Sequence, residues 1–214
     1  MASPTRSHRG LRALGRHMAG VAAVEFALSL PILVGLTMYG AEAANMAYTS
    51  QKLGDIATLS ADSISRIRLS ISNGDVTDAL GGMKILSDSI DLRNRGRVIV
   101  SSIAPVLDAS GNVVNQKLRW QRCTGTLVKS SPFATTENAN IGAAGMGPGD
   151  RPIAASKDSE MIFVEVYYTY RPLISAAFFG TPVMSAYSAM AVRERSSNDI
   201  LSNGTNSPCT TYAA

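Results

Sequence analysis

The sequence predicts an α+β fold: an N-terminal transmembrane helix, extended as an amphipathic stem and packed on a small antiparallel β-sheet in the manner of a pilin. Three observations carry this prediction. A nearly uninterrupted apolar run covers Val21 to Ala41, apolar residues recur at helical spacing to about Ser72, and beyond Arg93 the spacing changes to alternation. The implied division is a basic leader over 1–20, a transmembrane helix over 21–48, a helical stem over 49–92, a sheet domain over 93–195 with a long loop at 129–159, and a polar tail over 196–214.

The leader contains Arg6, Arg9, Arg12 and Arg16 with His8 and His17, and no acidic residue. Those four arginines account for the whole formal net charge of +4, so the rest of the 214-residue chain is neutral. Such a distribution predicts no nucleic-acid partner, which would require a basic face on the folded part.

Twenty residues from Val21 rise about 30 Å as a helix, the thickness of a bilayer's hydrocarbon core. Arginines precede this run and Lys52 is the first cation after it, so the positive-inside bias places the N-terminus in the cytoplasm and the chain beyond Tyr48 outside. Pro31 lies within the run and is expected to kink it. Glu25 is its one charge. A carboxylate in hydrocarbon costs about 2.5 to 3.5 kcal/mol on insertion scales, so it either meets a partner or, near the cytoplasmic end, snorkels to the headgroups or takes a proton.

Gly20 lies immediately before the run and Glu25 is the fifth residue after it. A basic leader, this glycine, this glutamate and an unbroken apolar helix together resemble type IV prepilins. Within that superfamily, Ala23-Val24-Glu25-Phe26-Ala27-Leu28 followed by Leu30-Pro31-Ile32-Leu33 resembles the N-terminal segment of TadE-like pseudopilins of the tight adherence (Flp) pilus system. The resemblance covers Arg12 to roughly Lys52. It implies cleavage between Gly20 and Val21 by a prepilin peptidase, and docking of Glu25 and Phe26 against other pilin or pseudopilin subunits and the assembly platform. It also implies a single-pass inner-membrane protein with a periplasmic C-terminal domain, carried outside the cell if the subunit enters a pilus. No cofactor and no metal follow from it. Val21 at the first mature position, in place of the phenylalanine common in major pilins, points to a minor component, as does the length of the chain.

Two other fates stay open. Ala41-Glu42-Ala43 offers the small-x-small pattern of a signal peptidase, although the apolar run exceeds the usual 7 to 15 residues of a secretory signal. An uncleaved or secreted chain would be an extracytoplasmic binding domain, with residues 129–159 as its ligand loop.

Past the membrane, Leu53, Ile56, Ala57, Ser60, Ile64, Ile67 and Ile71 predict that the helix continues to Ser72 with one core-facing stripe. Asn73-Gly74 is expected to end it, and Asp75 or Thr77 to cap a second helix carrying Val76, Leu80, Met83 and Leu86, weakened by Gly81-Gly82. Strands follow: Arg97 to Ile103 ending near Pro105, Val113 to about Cys123 after a turn at Asp108 to Gly111, Met161 to Tyr170, and Met184 to Arg193. In the second strand, Leu118 and Trp120 are expected on one buried face. The Ser-, Gly- and Pro-rich loop is expected to be a mobile surface or a segment ordered by a partner. The apolar connection Arg171 to Gly180 is expected to fold over the core or face the membrane.

Cys123 and Cys209 are the only cysteines. Outside the cytoplasm they can pair, and closing that loop would stabilise the fold by roughly 4 kcal/mol; otherwise they are two unrelated thiols. Both histidines lie in the leader, which removes histidine-based triads from the rest of the chain. Glu160 and Glu165 are expected on opposite strand faces, one exposed and one paired. No grouping of nucleophile, base and orienting residue is found in the spacing, so the expectation is a protein that is not an enzyme.

Overall fold

The structure, a computed structural model, describes residues 18–193 and 195–212. The leader's Arg6, Arg9, Arg12, Arg16, His8 and His17 lie outside the described residues. The chain divides after Ala44 into two units.

Helix α1, Met18–Ser65, begins in the first unit and ends in the second. From Gly20 to Ala41 its side chains are exposed all round, as suits a solvent of lipid tails, and burial begins at Glu42. Ser29 donates to the Phe26 carbonyl at 3.1 Å and Thr37 to the Val34 carbonyl at 2.8 Å, so both hydroxyls are satisfied within the helix. Pro31 lies inside the helix.

The second unit carries the remaining elements: β1 (Leu69–Ser72), α2 (Asn73–Leu86), a single 3₁₀ turn (Asp88–Ile90), α3 (Leu92–Arg95), β2 (Gly96–Leu107), β3 (Val113–Thr124), β4 (Met161–Thr169), α4 (Ala176–Phe179), β5 (Val183–Ala191) and β6 (Arg195–Leu201). Four strands form an antiparallel sheet in the order β3-β2-β4-β5, while β1 and β6 pair in parallel as a separate ribbon. The α+β prediction holds, and the four predicted strands are these four.

The α1 residues Leu53, Ile56, Ala57, Ala61 and Ile64 pack with Val76 and Leu80 of α2 against Val98, Val100, Trp120, Ile162, Val164 and Val166. That is the main core, on one face of the sheet. The other face carries a second cluster, where Met146, Ala155, Phe133, Ile141 and Ile153 of the 129–159 segment cover Ile103, Leu118 and Phe163.

The structure differs from the sequence expectations at five places. The stem helix stops at Ser65, short of Ser72. Leu69 turns into the left-handed region at φ +66°, and Arg195 takes up the terminal carbonyls of Ile64 at 2.9 Å and Ile67 at 3.2 Å. Ile71 is therefore buried from a strand, opposite Ile200, and the tail expected to be aperiodic supplies β6. The second helix is capped by Ser72, whose hydroxyl accepts from the Asp75 amide at 3.1 Å while the Asp75 carboxylate accepts from the Ser72 amide at 2.9 Å. This is a capping box, and Asn73-Gly74 opens the helix where it was expected to close one.

Strand β2 runs through Pro105 to Leu107, because β4 pairs with it only as far as Ile103. Beyond that point β2 has β3 as its one partner strand, the edge setting in which proline is tolerated. A register shift between Ser102 and Ile103 places Trp120 and Leu118 on opposite faces, each in a different cluster. Finally, the 129–159 segment is ordered by its own chain. Its backbone pairs along the outer edge of β3, Leu118 donating to Ala139 at 3.1 Å and Ile141 to Gln116 at 2.9 Å.

Candidate functional site

The residues singled out at the N-terminus all lie on one helix. Gly20 and Val21 are in its first turns, and Val21 is 57% and Phe26 61% exposed; Glu25 is exposed with them. Glu25 follows Val21 by four residues, so the two share a helix face one turn apart. Nothing in this unit buries the apolar surface: Val24, Leu28, Leu30, Ile32, Leu33 and Leu36 are also exposed. Among the described residues one helix is long and apolar enough to cross a membrane, and none of its most apolar window is buried. Its length, composition and exposure are those of a membrane anchor.

This is a TadE-like segment: the family model described as TadE-like protein matches residues 20–62. The match takes in the apolar helix with Glu25 and most of the stem, and stops before the sheet begins. The similarity to TadE-like proteins, which belong to the Tad pilus system, is of this segment, less than half of the chain. No curated protein and no solved structure matches the chain.

Beyond the TadE-like segment, the polar groups of the second unit are buried and engaged. Glu165 is fully buried on β4, where its carboxylate accepts from Ser131 at 2.6 Å and from the Tyr167 hydroxyl at 2.7 Å. Burial pushes its pKa up, against the hydrogen bonds and the Lys129 ammonium, which favour the charged form. Burial and the neighbouring carboxylate push the Tyr167 hydroxyl up as well. The Lys129 ammonium lies 5.4 Å from the centre of the Tyr167 ring. This cluster ties the start of the 129–159 segment to the sheet.

Glu160 is also buried, with Ser102 donating at 3.1 Å and the Arg119 guanidinium 3.5 Å away as an ion-pair partner, and burial again raises its pKa. The expectation of one exposed carboxylate is therefore corrected, because both are buried and paired, Glu160 with Ser102 and Arg119 of the sheet and Glu165 with Ser131 and Tyr167. Arg119 also pairs with Asp199 of β6.

Arg97 is buried at the start of β2 and was not singled out from the sequence. Its guanidinium donates to the carbonyls of Gly125 at 2.8 Å, Thr211 at 2.7 Å and Cys209 at 2.8 Å, and lies 4.4 Å from the centre of the Tyr212 ring. Burial lowers its pKa. Cys209 is bonded to Cys123, with the two Cα atoms 4.8 Å apart. The Cys123 amide donates to the Ser207 carbonyl at 2.9 Å and Thr77 to the Thr205 carbonyl at 2.7 Å. The tail, β2, β3 and α2 are thus clamped together. Besides the expected Cys123–Cys209 pair, an arginine in a strand otherwise buried on both faces was the only signal of this, since its partners are backbone carbonyls.

Among the described residues no group of three or more metal-ligating side chains occurs. The buried hydroxyls and carboxylates hold segments in place.

Proposed function

We propose that this protein is a minor pseudopilin acting in the assembly or structure of a tight adherence pilus, with no enzymatic role. One observation carries the proposal: Gly20, Val21 and Glu25 open a fully exposed apolar helix inside the TadE-like match. Prepilin peptidase would cut before Val21, removing a leader that holds all four excess positive charges. The new ammonium would lie at the membrane surface, where Glu25 of an adjacent subunit can neutralise it. Such pairing removes two charges from a low-dielectric setting at once, and it registers one helix against the next. The continuity of α1 through Ala41-Glu42-Ala43 favours this reading over signal peptidase cleavage, which needs an accessible, non-helical site.

The N-terminal sequence of protein extracted from inner membranes tests the proposal. Val21 as the first residue is the expected result; an intact leader would make the chain a permanent anchor, and Ala44 a secreted domain. In the same cells Glu25→Ala is expected to preserve expression and membrane insertion and to abolish piliation or surface attachment. Normal pili in that strain would remove the docking role from Glu25.

A further inference from the structure

The apolar connection between β4 and β5 is the largest feature that pseudopilin function leaves unused. From Arg171 to Val183 it reads Arg-Pro-Leu-Ile-Ser-Ala-Ala-Phe-Phe-Gly-Thr-Pro-Val, with one cation at its start and no acidic residue. None of it is buried. Leu173 is 66%, Ile174 38% and Val183 54% exposed, and the short helix α4, which carries Phe178 and Phe179, has no buried residue. The ends are pinned: the Tyr170 amide donates to the Pro182 carbonyl at 2.9 Å, which closes the connection into a compact loop.

The position of this loop along the chain identifies what covers it. Buried Tyr170 accepts a hydrogen bond through its hydroxyl from the Asn45 side chain at 2.8 Å. Asn45 is the first residue of the second unit and follows the apolar run by covalent connection. If the hydrocarbon core ends near Ala41, Asn45 lies about 6 Å further on, which is headgroup depth. The root of the loop then lies at that depth too, whatever angle the second unit makes with the membrane. Exposed Leu173 and Ile174 beside Arg171, with Phe178 and Phe179 half-buried, form the composition of an interfacial segment, its apolar side chains in the acyl boundary and its cation among phosphates.

We propose that Arg171–Val183 is a membrane-dipping loop, which inserts the exposed Leu173 and Ile174 into the bilayer leaflet from which α1 emerges. The proposal rests on the membrane-spanning reading of α1 and is independent of pilus assembly. The loop gives the second unit another attachment to lipid besides the covalent one, and so restricts its rotation about the helix. Extraction of the subunit from the membrane would have to release this loop along with the anchor.

Depth-dependent quenching tests it with the full-length chain in vesicles of phosphatidylcholine and phosphatidylglycerol, brominated near the head or near the middle of the acyl chain. Leu173→Trp adds a reporter at an exposed site, so the fold is preserved, and buried Trp120 provides a constant background. Leu33→Trp reports the span itself, and Val114→Trp reports the β2–β3 hairpin at the opposite end of the sheet, roughly 35 to 40 Å away along β2. Leu173→Trp is expected to lose about half of its added emission to bromines near the head of the acyl chain, with Val114→Trp unaffected. Leu33→Trp quenched and Leu173→Trp unquenched would overturn the loop while leaving the anchor intact. Leu33→Trp unquenched would overturn both, and equal quenching at Leu173→Trp and Val114→Trp would overturn a loop-specific contact.

Discussion

Two buried ionisable side chains show what single residues contribute here. Arg97 donates to three carbonyls, a buried one at Gly125 and two in the tail. Arg97→Met keeps the aliphatic stem and removes every donor, so the carbonyls lose their partners and the tail its clamp. The expected cost is about 2 to 4 kcal/mol in urea unfolding of the detergent-solubilised protein, with faster amide exchange around Ser207 and Thr211. Glu165 produces a pH effect. Its folded-state pKa is raised by burial, so the native state holds the proton more tightly than the unfolded chain does. Its contribution is therefore complete below the ordinary carboxylate value of about 4.3 and is lost as pH rises through the raised value. Glu160 is shifted in the same direction. The urea midpoint is expected to fall on going from acidic to neutral pH, and to fall less in Glu165→Gln, which keeps the shape without the charge. An equal slope in both proteins would remove Glu165 as its source.

At the scale of elements, what the sequence reveals depends on whether the stabilising contact is periodic. The stripe from Leu53 to Ile64 and the alternation in β4 are repeated demands of one face, so helix and strands were legible. The end of α1 was not, because it depends on Arg195, about 130 residues away, and on one left-handed residue, Leu69. The 129–159 segment was misread for a related reason. Its Phe133, Met146 and Ile153 are too widely spaced to form a periodic pattern, yet they meet on the far face of the sheet. Local rules did contain the start of α2, since Ser72 and Asp75 have the spacing of a capping box and only the preceding helix assignment obscured it. Ser72→Ala is expected to cost about 1 kcal/mol, read as a lower urea midpoint with an unchanged m-value. Ser72→Thr, which keeps the oxygen, should restore most of it.

The whole molecule joins an apolar helix long enough to cross a membrane to a domain closed by a disulfide, a combination that fits the outward crossing contained in the proposed function. The membrane-length helix was legible from the apolar run. Of the clamp on the tail, the Cys123–Cys209 bond was legible and the Arg97 bonds were not, because their partners are backbone carbonyls. Bridging Cys123 to Cys209, a separation of 86, is expected to contribute about 4 kcal/mol by restricting the unfolded chain. Arg97 acts on the same segment through the Cys209 and Thr211 carbonyls, so the two devices are not independent. With the disulfide intact the tail stays close even when Arg97 is replaced; without it, Arg97 has to hold the tail against the entropy of a free end. In Cys209→Ser the guanidinium bonds are expected to be only partly formed, and adding Arg97→Met then removes less than it does in the wild-type chain. The double variant should therefore lose less stability than the sum of the single losses, by at least about 0.5 kcal/mol in a double-mutant cycle. Strict additivity would mean that the two act on separate parts of the fold, and that the tail is held elsewhere, at β6 or through Thr77.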